Sequence, residues 1–237
     1  MSDNQDVEEL VLPGNSKALK TLWPKLDEPR QFKDKKGKAN GKLRYESTFL
    51  LPDDSDDLKT VKSKLGAIMK AKWGTSAVNP AGRDPGVYVT VDGKKVKLKL
   101  PLNDGNAMAA EGLSTGKDRS FCAGGQVMKT ATEYPVAIFD ARKRDEKGVP
   151  LRITDKEAIK NLIYGGSHTA AEVKFRSYDA VGTNPPGITA YLQKICFVSD
   201  GDRIASEGGG DTFKAVQGAV VNTDPTGGAG MDDEIPF

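Results

Sequence analysis

The sequence predicts a mainly β protein with one long helix, an α+β arrangement built around a small antiparallel barrel or sheet. Three observations predict it. Several short segments alternate apolar and polar residues, a single long segment carries apolar residues at three- and four-residue steps, and strands do not alternate regularly with helices. The last point disfavours a parallel doubly wound sheet. With 37% hydrophobic and 29% charged residues among 237, the chain is polar yet can still build a core.

In chain order, Pro13-Gly14 is the first turn signal, so residues 1–14 are expected to form a flexible acidic arm. Ala18 to Leu26 reads as a strand interrupted by Pro24. The stretch 33–42, with Lys33, Lys35, Lys36, Lys38 and Lys42 and no large apolar residue, reads as a loop because nothing in it can be buried. Leu43, Tyr45, Ser47, Phe49 and Leu51 then alternate with polar residues as in a half-buried strand, which Pro52 ends. Asp53 to Trp73 is the long helix. Leu58, Val61, Leu65, Ile68 and Met69 make its apolar stripe, acids sit at the start, lysines at the end, and Gly74 is the stop. Val87, Val89 and Val91 lead into Asp92-Gly93, a pair suited to a two-residue hairpin turn. On the return strand Val96, Leu98 and Leu100 face one way and Lys95, Lys97 and Lys99 the other. Those lysines repeat every ~6–7 Å, close to the phosphate step of an extended single strand; an edge strand defended against aggregation gives the same pattern.

Pro101 to Thr132 shows little periodicity. Val136 to Phe139 is a short apolar strand closed by the charged stretch 140–147. Thr154 to Glu157 has capping-box spacing and opens a short helix through Ile163. Val173, Phe175 and Ser177 alternate with Lys174, Arg176 and Tyr178, and Ile188 to Val198 is a long apolar last strand. Residues 206–230 are Gly-rich without periodicity, a linker. The expected organisation is thus an arm over 1–14, one domain over 15–205, and a disordered linker with an acidic tip over 206–237.

The net charge of +2 conceals an asymmetry. From Ser206 onward six acids face Lys214 alone, a net of −5, which leaves +7 on residues 1–205. A basic body with acidic ends suits a polyanion ligand and a tail that competes for the same surface, although charge also serves solubility. No run approaches a membrane span, the acidic start lacks the basic n-region of a secretion signal, and two cysteines with one histidine leave no disulfide framework or zinc cluster. A cytosolic protein is expected, without membrane contact, cofactor or metal. Asp53, Asp54, Asp56 and Asp57 read as helix-dipole partners rather than cation ligands, His168 has no evident catalytic partner, and Gly208 to Gly210 lacks the context of a phosphate loop. Nothing argues for catalysis.

Single-stranded nucleic acid is gripped by a basic groove and by aromatic faces on which bases stack. Candidate contacts are Lys33, Lys35, Lys36, Lys38, Lys42, Arg44, Lys95, Lys97, Lys99, the group Arg142, Lys143 and Arg144, and Lys174 with Arg176. Tyr88 and Tyr178 lie on the polar side of their strands and are the stacking candidates, whereas Phe49, Phe139, Phe175 and Phe197 sit on apolar faces and are assigned to the core.

The last residues, Asp232, Asp233, Glu234, Ile235, Pro236 and Phe237, form a short hook whose apolar end can enter a pocket while the acids meet basic side chains. They resemble the tip of bacterial single-stranded DNA-binding proteins, with Glu234 where an aspartate is usual. The body, from about Thr21 to Asp202, resembles instead phage-encoded single-stranded DNA-binding proteins with an OB fold. That resemblance rests on LRYESTFLLP and the helix after it, Pro101 to Gly105, Tyr134-Pro135 and EVKFRSYDAVG. It implies an OB-like barrel over 15–205, single-stranded DNA as ligand, a role in phage replication, recombination or repair in the host cytoplasm, and replication or recombination proteins as partners of the tip. A duplex-binding or strand-annealing protein and a structural virion protein remain alternatives, and self-association is left open.

Overall fold

The computed structural model describes residues 7–14, 18–33, 39–74, 86–91, 93–182 and 184–204. Five strands carry the core: β2 (Leu19–Thr21), β4 (Ala39–Pro52), β8 (Gly125–Thr132), β11 (His168–Tyr178) and β12 (Gly187–Ser199). They lie within one sheet of order β10-β9-β12-β11-β2-β4-β8-β7, where β7 is Leu102–Asp104, β9 is Ala137–Arg144 and β10 is Pro150–Ile153. Strand β1 (Val7–Leu12) pairs with β11, and β3 (Lys25–Lys33) with β4. The ladders are antiparallel except β12 on β9. The sheet curls until β8 comes up against β12, but no ladder joins them, so the expected barrel is not closed among the described strands. Phe49, Phe175, Phe197 and Met128 fill the interior, fully buried.

Helix α1 (Asp56–Trp73) covers that core with Leu58, Val61, Leu65 and Ile68, the stripe read from the sequence. Ser55 caps it, its hydroxyl accepting from the Leu58 amide at 3.2 Å, so Asp53 and Asp54 precede the helix. Two shorter helices join it: α3 (Lys156–Leu162) is the short helix expected through Ile163, and α2 (Gly105–Ser114) lies in the stretch 101–132 where no helix was expected. The cap of α3 is Asp155, which accepts from the Ala158 amide at 2.7 Å, one residue after the expected Thr154.

Four further expectations are corrected. Residues 7–12 of the expected flexible arm are β1: Leu12 is fully buried, and the intervening acids concealed the apolar pattern. The expected 33–42 loop is strand at its described positions, since β3 reaches Lys33, β4 begins at Ala39, and the two pair through their backbones. The charged stretch after Phe139 continues β9 to Arg144. Finally Phe139 is only half-buried, because its neighbours Ile138 and Asp140 take the inward positions. Residues 35, 36, 38 and 206–237 lie outside the described residues.

Candidate nucleic-acid interface

The outer face of β11 and β12 follows from strand alternation. Thr169, Ala171, Val173, Phe175 and Ser177 are buried, which turns Lys174, Arg176 and Tyr178 outward. Cross-strand pairs share a face, and the register sets Lys174 opposite Tyr191, Arg176 opposite Thr189 and Tyr178 opposite Gly187. Both cations are exposed and both tyrosines half-buried, a placement that leaves ring surface accessible while fixing the ring. Burial, and next the neighbouring Tyr191, push the Tyr178 phenol above its usual value, so it stays neutral at physiological pH. The face continues across the sheet. Lys194 lies opposite Ala137 and is ion-paired to Glu172 at 2.7 Å, while Phe139 sits between Cys196 and Arg152.

Strands β5 (Tyr88–Val91) and β6 (Lys94–Lys97) form the predicted hairpin, with Val91 opposite Lys94 across the turn. Lys95, Lys97 and Lys99 are exposed, and Leu98 is buried on the other side. The hairpin is fastened to the start of β12. The Lys99 amide donates to the Pro186 carbonyl at 3.0 Å, and the Ile188 amide to the Lys99 carbonyl at 2.8 Å. Gly187 lies at this junction, with the Lys99 carbonyl on one side and the Tyr178 phenol on the other; a Cβ would reach the phenol oxygen at 2.5 Å. The structure therefore brings the lysine row to the Tyr178 end of the sheet face. Tyr88 lies on the hairpin beneath Lys95, whose Nζ is 5.0 Å from the ring centroid, a cation–π contact.

The other candidates do not gather here. Arg142, Lys143 and Arg144 alternate along β9 and point to different surroundings. Arg142 grips Asp140 through Nε at 3.1 Å and a terminal nitrogen at 3.2 Å, reaches Asp200 at 3.5 Å, and lies 4.3 Å over the buried Phe197 ring. Asp140 is only 1% exposed, and the Arg142 guanidinium holds its carboxyl below the usual carboxylate range. Arg142 is thus the counter-ion of the buried Asp140. Arg144 donates to the Gly148 carbonyl at 2.7 Å and braces the β9–β10 turn, while Lys143 is exposed. Lys42 and Arg44 both approach Glu133, at 2.8 and 3.6 Å. Lys33 closes β3 opposite Ala39. Lys35, Lys36, Lys38 and Asp232 to Phe237 lie outside the described residues.

Sequence reasoning missed Tyr191. Its signal was present, because buried Ile188, Ala190 and Leu192 set the inward phase of β12 and leave Thr189 and Tyr191 outward. Among the described residues, no group of three or more His, Cys, Asp or Glu could hold a metal ion, and no helix is long and apolar enough to cross a membrane.

No protein-family model matches the chain, and no match is found among curated proteins. Solved structures do match. The single-stranded DNA-binding protein from bacteriophage Enc34 in complex with single-stranded DNA is similar at a TM-score of 0.56 and 17% identity, covering 83% of this chain and 89% of that one. A C-terminal truncation of the Enc34 protein is similar at 0.56 and 15% identity, over 86% of this chain and 95% of that one. At this identity the likeness establishes a shared fold.

Proposed function

We propose that this protein binds and coats single-stranded DNA without catalysing a reaction, in phage replication, recombination or repair within the host cytoplasm. The observation that carries the reading is the outer β11–β12 face, where Tyr178 and Tyr191 stand among Lys174, Arg176 and the lysine row of the hairpin. Rings accept bases of any sequence, and the cations answer the phosphates. The fold shared with a protein solved on single-stranded DNA supports it. In this reading the five curled strands are an OB-like barrel opened at the β8–β12 seam.

A salt titration with single-stranded oligonucleotides, run beside duplex of equal length, tests the proposal. The logarithm of affinity should fall with the logarithm of salt by roughly 0.7 per phosphate contacted. Replacing Lys95, Lys97 and Lys99 together by Ala should lower that slope by about 2. A flat salt response, or tighter binding to duplex, overturns the reading. An unchanged slope in the triple variant moves the groove away from the hairpin.

The acidic segment 206–237 fits the same reading as a competitor for the cations and a recruiter of replication proteins, motivated by its −5 against +7 on the rest. Deleting Asp232 to Phe237 should tighten DNA binding at low salt, and the gain should fade as salt screens the charges. Phe237→Ala should keep most of the competition and lose partner capture. Unchanged affinity and unchanged partners after the deletion would reduce the segment to a solubilising extension.

A further inference from the structure

Tyr134 is 78% exposed in the turn between β8 and β9. A single exposed aromatic is ordinary, so exposure alone argues nothing. Its surroundings do argue. The preceding residue, Glu133, gathers Lys42 at 2.8 Å and Arg44 at 3.6 Å. Those two cations belong to the part of β4 that runs past its ladder with β8, which starts at Tyr45 opposite Thr132. Before Tyr45, β4 pairs only with β3 among the described strands, and the two carry Arg30, Lys42 and Arg44 and an exposed Leu43. The turn is also placed by register. Strand β9 enters its parallel ladder at Ala137 opposite Lys194, so the residues just before Ala137 lie toward the Tyr191 end of the sheet face. Tyr134 therefore stands between two basic surfaces, the β11–β12 face and the Lys42–Arg44 part of the β3–β4 hairpin.

We infer that Tyr134 is a second base-stacking platform, which carries a bound single strand from the sheet face onto the β3–β4 hairpin. Glu133 holds Lys42 and Arg44 in place until phosphates take over these cations; the carboxylate then turns to solvent still ionised. The inference rests on the single-stranded DNA reading and adds a length dependence to it. A strand short enough to fill only the sheet face gains nothing from Tyr134, and a longer one does.

Oligothymidylates of about 6 and about 20 nucleotides, bracketing the site sizes of related folds, test this on the full chain. Tyr134→Ala should bind the long strand roughly tenfold more weakly and the short strand unchanged, with Tyr134→Phe equal to the parent. Glu133→Gln should bind the long strand a few-fold tighter at low salt by removing a competitor of phosphate. Equal loss on both lengths, or no loss on the long one, overturns the inference. If the parent binds both lengths and Tyr178→Ala weakens both while Tyr134→Ala changes neither, this inference alone falls. If the parent binds neither, the reading beneath it falls as well.

Discussion

Replacing Tyr178 and Tyr191 together by Ala should weaken single-stranded DNA binding by about 3 kcal/mol, roughly a hundredfold, with each single change contributing 1–3 kcal/mol. The size follows from geometry. Both rings are fixed by partial burial, so they pay little ordering entropy when a base lands on them. Arg176 lies between them along the ladder, where it can hold a phosphate of the strand that runs between the two stacked bases. Coupling through a shared strand should make the double loss differ from the sum of the singles. Phe at either position should bind nearly as the parent does, because the π-face and not the hydroxyl is used. Titration by fluorescence anisotropy, corrected for folded fraction from melting curves, measures the effect. Unchanged affinity per folded molecule in the double Ala variant would move the DNA off this face.

The elements legible in the sequence are those whose environment is one-sided. Helix α1 buries one stripe against the core and shows the helical period, and β11 buries one face and shows strict alternation. The pairing of Val91 with Lys94 in the β5–β6 hairpin follows from local chemistry and was equally legible. Strand β8 was not. Its Met128 faces the main core while Val127 packs with Leu22 and Cys122 in a second cluster that Phe121 and Met108 of the preceding segment help cover. With both faces buried, the alternation disappears. Helix α2 was hidden by small residues; its signal was the Asp104 cap, whose carboxylate accepts from the Asn106 and Ala107 amides. The site divided along the same line. Tyr178 and the lysine row follow from alternation within one strand, whereas the partnership of Arg142 with Asp200 depends on the parallel β9–β12 ladder, a non-local pairing.

A substitution at Gly187 should damage stability and binding together. The Gly187 Cα sits where β12 begins, between the Lys99 carbonyl and the Tyr178 ring. An added Cβ would overlap that carbonyl oxygen and stand 2.8 Å from the Tyr178 Cζ, so either the hairpin or the tyrosine must move. If the hairpin moves, the bonds from the Lys99 amide to Pro186 and from the Ile188 amide to Lys99 are lost, each worth about 1 kcal/mol. Overpacking adds about 1–3 kcal/mol. Gly187→Val should therefore cost about 3 kcal/mol, a fall in melting temperature of roughly 6–12 °C for a chain of this size. The folded fraction should also bind DNA more weakly, because the lysine row and Tyr178 lose their common anchor. Gly66→Ala is the matched control: nothing lies within 4 Å of its would-be Cβ, and in mid-helix it should stabilise by up to about 1 kcal/mol with binding unchanged. If Gly187→Val melts and binds like the parent, the hairpin is not held to the sheet through this glycine, and the lysine row must reach the DNA from another position.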